Sequence, residues 1–187
     1  MSLIFCYNRL MIITRHGTET FRVQTGGLSL VVNPSDQRLK ADVTLRLAQK
    51  FPLPGITFSS EEIIGPGEYD IKGITIHGIP AAESGGDILE TIYEVKAEGI
   101  SLVFLGAPKK ITDITIKEKL GNIDIIFAPS GSATLVKQLE PRIIIPTYIK
   151  SVKDIDKELG FKVESVDRLT IKKKDIPLQT EIIYINA

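Results

Sequence analysis

Hydrophobic and polar positions alternate along most of the first half of this chain. Residues 63–79 are the most regular stretch. Gly65-Pro66-Gly67 reads as a turn, because proline presets one backbone angle and glycine tolerates positive φ. After it, Ile71, Gly73, Thr75, His77 and Ile79 alternate with Lys72, Ile74, Ile76 and Gly78, a period of two that predicts a strand over 71–79. Upstream, residues 11–15 form a short apolar run, 21–25 alternate, and Gly26-Gly27 turns the chain into 28–33, a meander of antiparallel strands. Asn33-Pro34-Ser35-Asp36 ends it, since proline cannot donate to a ladder. Residues 41–47 read as a fourth strand, with a helix as the competing reading. Phe51-Pro52-Leu53-Pro54-Gly55 excludes regular structure.

Residues 81–87 form a loop of small residues, and 89–96 with 100–105 predict a hairpin about Glu98-Gly99. Beyond residue 110 the period changes. A helix capped by Thr112 runs to Leu120 and stops at Gly121. Apolar strands at 123–128 and 142–146 bracket a helix over 132–139, halted by Pro141. Ser151 and Asp154 resemble a capping box for a helix closed by Gly160. Strands at 169–172 and 182–185 finish the chain. Strands first, then strands alternating with helices, predict packed sheets with helices outside them.

Composition narrows the class. The 187 residues predict a single domain over 11–187, with residues 1–10 as an N-terminal extension and Met11 as an alternative start. Apolar residues are 43% and charged residues 25%, the balance of a globular protein. Lys plus Arg equals Asp plus Glu at 23 each, which argues against a general nucleic-acid or membrane-surface binder. The single cysteine, Cys6, excludes an intrachain disulfide and a cysteine-based zinc knuckle. No apolar run approaches the ~20 residues of a spanning helix, and residues 1–10 lack the basic start and cleavage site of a signal peptide. The expectation is a cytoplasmic protein.

Several segments together resemble the metallo-β-lactamase fold, specifically its small bacterial branch of zinc-dependent hydrolases. They are Ile12-Ile13-Thr14 through Gly17 to Phe21, Gly26-Gly27-Leu28 with Asn33-Pro34, Ala41-Asp42-Val43, and Gly65-Pro66-Gly67-Glu68-Tyr69-Asp70-Ile71-Lys72-Gly73. Thr91-Ile92-Tyr93, Leu105-Gly106, Pro141-Arg142-Ile143-Ile144-Ile145-Pro146 and Leu169 to Lys174 complete the set. The resemblance covers nearly everything from residue 11 onward. It implies an α/β fold, a four-layer αββα sandwich of two mixed β-sheets flanked by helices. It also implies a His-x-His-x-Asp-His run after the fourth strand and further ligands at later strand ends. These would hold one or two zinc ions whose bound water attacks the substrate.

This sequence departs from that ligand pattern throughout. The aspartate expected at the end of the third strand is Asn33. The first metal run falls on residues 48–53, with Ala48, Lys50, Pro52 and Leu53 at the ligand positions. The loop histidine falls near Ala82 or Glu83, the aspartate after Leu105-Gly106 is Ala107, and the last histidine is Tyr148. The chain is also shorter than the family pattern between Ser130 and Pro141. It has two histidines, His16 and His77, against about five in a two-metal site. His16 falls in the turn after the first strand. His77 falls within a strand, directed at solvent or an outer helix layer.

Other candidates are weaker. Asp36, Glu68, Asp70, Glu83 and Asp87 could suit a hard cation, but their spacing matches no calcium loop and exposed loop carboxylates are the ordinary reading. Glu68 reads as a hydrogen-bond partner for the backbone of its turn. Ser130-Gly131-Ser132 precedes a helix and is a candidate anion site through backbone N–H groups, against an ordinary N-cap. Lys109-Lys110 and Lys172-Lys173-Lys174 read as soluble strand ends. The sequence thus predicts a non-catalytic metallo-β-lactamase-fold protein without its zinc site and without a cofactor. It would act as a binding or subunit protein beside a protein partner or its own copies, with nucleic acid and membrane disfavoured. The alternatives are a residual metal-dependent hydrolase with a rebuilt site using Asp36, Glu83 or Tyr148, or a small-anion pocket at Ser130, Gly131 and Ser132.

Overall fold

The computed structural model describes residues 9–36, 38–50, 62–81, 87–106, 115–148 and 163–187. Its alternating segments assemble into two mixed sheets. The first contains β1 (Met11–Arg15), β2 (Phe21–Thr25), β3 (Leu28–Val32), β4 (Val43–Arg46), β6 (Glu62–Ile64) and β14 (Leu169–Ile171), in the order β14-β1-β2-β3-β4-β6. The second contains β7 (Gly67–Ile71), β8 (Ile74–Pro80), β9 (Ile88–Ala97), β10 (Ile100–Phe104), β11 (Ile125–Pro129), β12 (Ile143–Thr147), β13 (Val163–Val166) and β15 (Glu181–Ile185). Its order is β13-β15-β12-β11-β10-β9-β8-β7, and β5 (Ala48–Lys50) pairs with β9 beside that path.

Alternation places one row of each strand between the sheets. Ile13, Val23, Leu30 and Leu45 of the first sheet meet Ile76, Val95, Leu102, Ile125 and Ile143 of the second in one buried core. The opposite row of the second sheet forms another cluster. There Ile92, Val103 and Ile126 are covered by Ile116 and Leu120 of α1 (Thr115–Leu120) and by Val136 and Leu139 of α2 (Ala133–Leu139). The architecture is therefore the expected sandwich of two mixed sheets with helices outside. The helix expected at 151–160 and the cap expected at Thr112 lie outside the described residues.

The strand expected over 71–79 is corrected. Lys72 and Gly73 both take left-handed φ, 47° and 88°, and turn β7 into β8. The turn shifts the parity of the pattern: Tyr69 and Ile71 before it, and Ile74 and Ile76 after it, all face the core. The hairpin about Glu98-Gly99 has the same form, with φ of 51° and 75°. Strands β5, β6, β7 and β13 were not predicted; they are short. The strand read over 41–47 is β4, Val43–Arg46.

The Gly65-Pro66-Gly67 turn carries the chain from β6 in the first sheet to β7 in the second. It is held by Tyr93, whose hydroxyl donates to the Gly65 carbonyl at 3.0 Å, and not by Glu68, which is exposed on β7. Burial pushes the Tyr93 phenol well above its ordinary range. Gly78 is the other half of this contact. A Cβ there would stand 2.9 Å from the Gly65 carbonyl oxygen and 2.9 Å from Cε1 of Tyr93.

The link from β3 to β4 is fastened by Asp42. Its carboxylate accepts the Ser29 backbone N–H at 2.8 Å, the Ser29 hydroxyl at 2.9 Å and the Lys72 ammonium at 3.1 Å. These donors, the Ser29 N–H foremost, favour the charged form and lower the Asp42 pKa to about 2.

Candidate functional site

Among the described residues, the positions where the resemblance implies metal ligands are Asn33 after β3, Ala48 and Lys50 in β5, and Tyr148 after β12. Asn33 follows β3 with φ of 46°, and Tyr148 follows β12 with φ of 57°. Both conformations are fixed by backbone hydrogen bonds. Asn33 N–H donates to the Leu45 carbonyl at 2.9 Å, and Tyr148 N–H donates to the Thr18 carbonyl at 2.9 Å. The Thr20 hydroxyl, itself buried, donates to the Asn33 carbonyl at 2.6 Å.

The side chains converge on Glu19, in the loop between β1 and β2. The Asn33 amide donates to Glu19 Oε2 at 3.0 Å, and the Tyr148 hydroxyl donates to the same oxygen. Asn33 Oδ1 accepts the Leu47 N–H at 2.9 Å. An aspartate at this position would accept from Leu47 but would offer nothing to Glu19 except repulsion. The asparagine is thus matched to this network. Sequence reading missed Glu19; no local pattern marks a carboxylate in the turn after a first strand.

Arg15 holds that turn from behind. Its buried guanidinium donates to the carbonyls of Gly17 (2.6 Å), Ile185 (3.4 Å) and Thr18 (3.5 Å). It also lies 5.9 Å from the ring centre of Phe21 and 5.0 Å from that of Tyr184.

Beneath Glu19 and Tyr148 the floor is aromatic. Phe104 stacks on Phe127 with centroids 4.2 Å apart, and Phe21 meets Phe127 edge-on at 4.9 Å. With Val32, Leu47 and Thr147, and with Glu19 and Tyr148 above, they line a partly open cavity of about 10 Å³. That is room for one water molecule at most, and such a water needs two or more polar partners.

Ala48 and Lys50 lie in β5, where Ala48 pairs with Glu90 and Lys50 with Ile88, both side chains exposed. Pro52, Leu53, Ala82, Glu83 and Ala107 lie outside the described residues. His16 is exposed, with Nε2 3.1 Å from the Thr14 hydroxyl oxygen. His77 is half-buried on the outer side of β8, opposite Glu68 on β7 and Glu94 on β9. Asp36 accepts from Arg38, Asp70 from Thr75, and Asp87 is exposed at the start of β9. Among the described residues no three His, Cys, Asp or Glu side chains are grouped to hold a metal.

At the start of α2, Ser130 and Gly131 are exposed. The Ser132 hydroxyl donates backward to the Pro129 carbonyl at 2.6 Å, and caps no helix N–H. The helix it precedes has 7 residues.

Zinc requires imidazole, thiolate or carboxylate donors converging at about 2.0–2.3 Å. Among the described residues this cleft offers one carboxylate, one carboxamide and one phenol, already bonded to each other above three phenyl rings. These described residues do not fit the ion.

The sequence matches the family model of the beta-lactamase superfamily domain over residues 12–148. No curated protein matches it. Among solved structures, the chain resembles a Thermotoga maritima protein of the metallo-beta-lactamase superfamily, with TM-score 0.75 and 22% identity, covering 94% of this chain and 100% of that one. It also resembles Igni18, a metallo hydrolase from the hyperthermophilic archaeon Ignicoccus hospitalis, with TM-score 0.65 and 13% identity over 87% and 98% of the two chains. The metallo-beta-lactamase fold protein YhfI from Bacillus subtilis gives TM-score 0.62 and 10% identity over 94% and 96%. At these identities the likeness is one of fold. No described helix is long and apolar enough to cross a membrane.

Proposed function

Because the chain belongs to the beta-lactamase superfamily, we propose that it is a member whose metal cleft is sealed by a hydrogen-bonded plug, and that it works as a non-catalytic binding or subunit protein. One observation carries this reading. The Asn33 amide and Tyr148 hydroxyl, at two implied ligand positions, both serve Glu19. Catalysis by metal-bound water needs an open coordination position and a substrate channel to it. A cavity of about 10 Å³ over Phe21, Phe104 and Phe127 offers neither. Further support comes from β5: residues 48–50, where the resemblance implies the first ligand run, extend along β9 instead.

Elemental analysis of tag-free protein from zinc-supplemented culture tests the proposal. Zinc, manganese and iron near zero per chain, with no hydrolysis of ester, phosphodiester or lactam substrates, is the expected result. Close to one metal per chain, or turnover lost on chelation, overturns it.

A further inference from the structure

β10 has two ends. Its last residue, Phe104, lies in the sealed cleft. Its first, Ile100 and Ser101, border an open groove of about 490 Å³ at the other end of the sandwich. The groove size is that of a small-molecule site. We propose that this groove binds a small organic anion, a carboxylate- or phosphate-bearing molecule, through the ammonium groups of Lys96 and Lys173.

The charges here form one connected chain. Lys173 donates to both oxygens of Asp124 at 2.7 and 2.8 Å, and Asp124 also accepts the Ser101 N–H at 2.8 Å. The Ser101 hydroxyl donates to Glu94 Oε1 at 3.0 Å, and Lys96 Nζ lies 3.2 Å from Glu94 Oε2. The two signs differ in depth. The Glu94 and Asp124 side chains are 3% and 13% exposed, while those of Lys96 and Lys173 are 59% and 45% exposed. The carboxylates are therefore turned inward and hydrogen-bonded. The ammoniums reach the groove with donors to spare, since each carries three N–H groups. Glu98, the remaining acid on the rim, has Oε1 within 2.9 Å of where a Gly26 Cβ would stand, so it reaches away over the β2–β3 turn. The ammoniums are the more exposed members of these ion pairs, and so the charges a ligand in the groove meets first.

The position of Lys173 is set locally. Lys173 opens a 3-10 turn, Lys173–Asp175, in which the Asp175 carboxylate accepts the Lys172 N–H at 3.2 Å. The basic run at 172–174 therefore does more than keep a strand end soluble, because its middle member is aimed at Asp124. The opposite wall includes Gly73, where an added Cβ would meet no atom within 4 Å.

Isothermal titration with inorganic phosphate and with citrate, at low salt, tests the site independently of the sealed cleft. Saturable one-to-one binding of either anion is expected; phosphate alone would point to phosphoryl ligands, citrate alone to carboxylates. Lys96→Gln and Lys173→Gln should each weaken binding about tenfold or more, the measure of one charge-assisted hydrogen bond. Lys174→Gln, on an exposed neighbour, should leave it unchanged. Absence of saturable binding to both anions, or unchanged parental affinity in either groove variant, overturns the proposal. Should a groove variant fail to fold, amide shifts in the native protein decide: movement confined to Gly73, Gly99 and Ser101 supports the site, and its absence overturns it.

Discussion

Replacing Gly78 by alanine tests the contact that carries the chain from one sheet to the other. The new methyl would stand 2.9 Å from the Gly65 carbonyl oxygen, 2.9 Å from Tyr93 Cε1 and 3.2 Å from the Gly67 nitrogen. Two of these neighbours are backbone, and the third is a fully buried ring. None yields alone, because the Tyr93 hydroxyl is bonded to that same Gly65 carbonyl. Overpacking a core costs about 1–3 kcal/mol, and loss of the Tyr93–Gly65 hydrogen bond adds about 1 kcal/mol. Against this, alanine in a strand interior gains roughly 0.5–1 kcal/mol over glycine. The net destabilisation is about 1–3.5 kcal/mol. At a urea m-value of about 2 kcal/mol/M, the midpoint should fall by about 1 M. Gly73→Ala is the contrast. Its Cβ meets nothing, so only the φ of 88° opposes it, at a cost of about 1 kcal/mol. A Gly78→Ala protein within about 0.5 kcal/mol of the parent, or more stable than Gly73→Ala, would refute the steric reasoning.

Tyr148→Phe should cost about 1.5 kcal/mol in urea unfolding, because it takes a donor from the Glu19 carboxylate; an unchanged midpoint would remove Tyr148 from the plug. Arg15→Lys should cost about 2 kcal/mol, since an ammonium cannot span three carbonyls between two rings; a neutral result would deny the guanidinium its role in fixing the 16–20 turn. Asp42 has its folded pKa depressed to about 2, so its contribution is complete above the unfolded carboxylate value of about 3.9 and disappears as pH falls from about 4 to 2. Asp42→Asn should therefore lose stability near neutrality and show a shallower fall across that acid window. Parallel acid-unfolding curves for the two proteins would count against the Ser29 and Lys72 contacts.

Strand content was legible because burial on one face enforces alternation, and the alternating rows at 11–32 face the core as read. The turn at Lys72-Gly73 was missed because lysine is an unusual first residue for two left-handed conformations. The parity shift between Ile71 and Ile74 was the available signal. Position 33 and position 148 could be placed by resemblance, since each follows a recognisable apolar strand. Their common partner could not. Glu19, Phe21, Phe104 and Phe127 are far apart in sequence, and a phenylalanine in a strand reads as ordinary core until the sheets are stacked. The groove was hidden for a similar reason: Lys173 read as one of three surface lysines, and only the folded chain brings it to Asp124, 49 positions away.

Strand β5 makes the departure from the family's ligand pattern hard to reverse. Residues 48–50 are laid flat along β9, with Ala48 opposite Glu90 and Lys50 opposite Ile88, and the Leu47 carbonyl accepts the Thr91 N–H at 2.8 Å just ahead of them. An engineer who wrote histidines back into positions 48 and 50 would find them displayed on an outer strand, turned to solvent. To turn inward they would first have to leave the ladder with β9. Freeing positions 48 and 50 therefore gives up backbone hydrogen bonds to β9 before any new ligand could contribute.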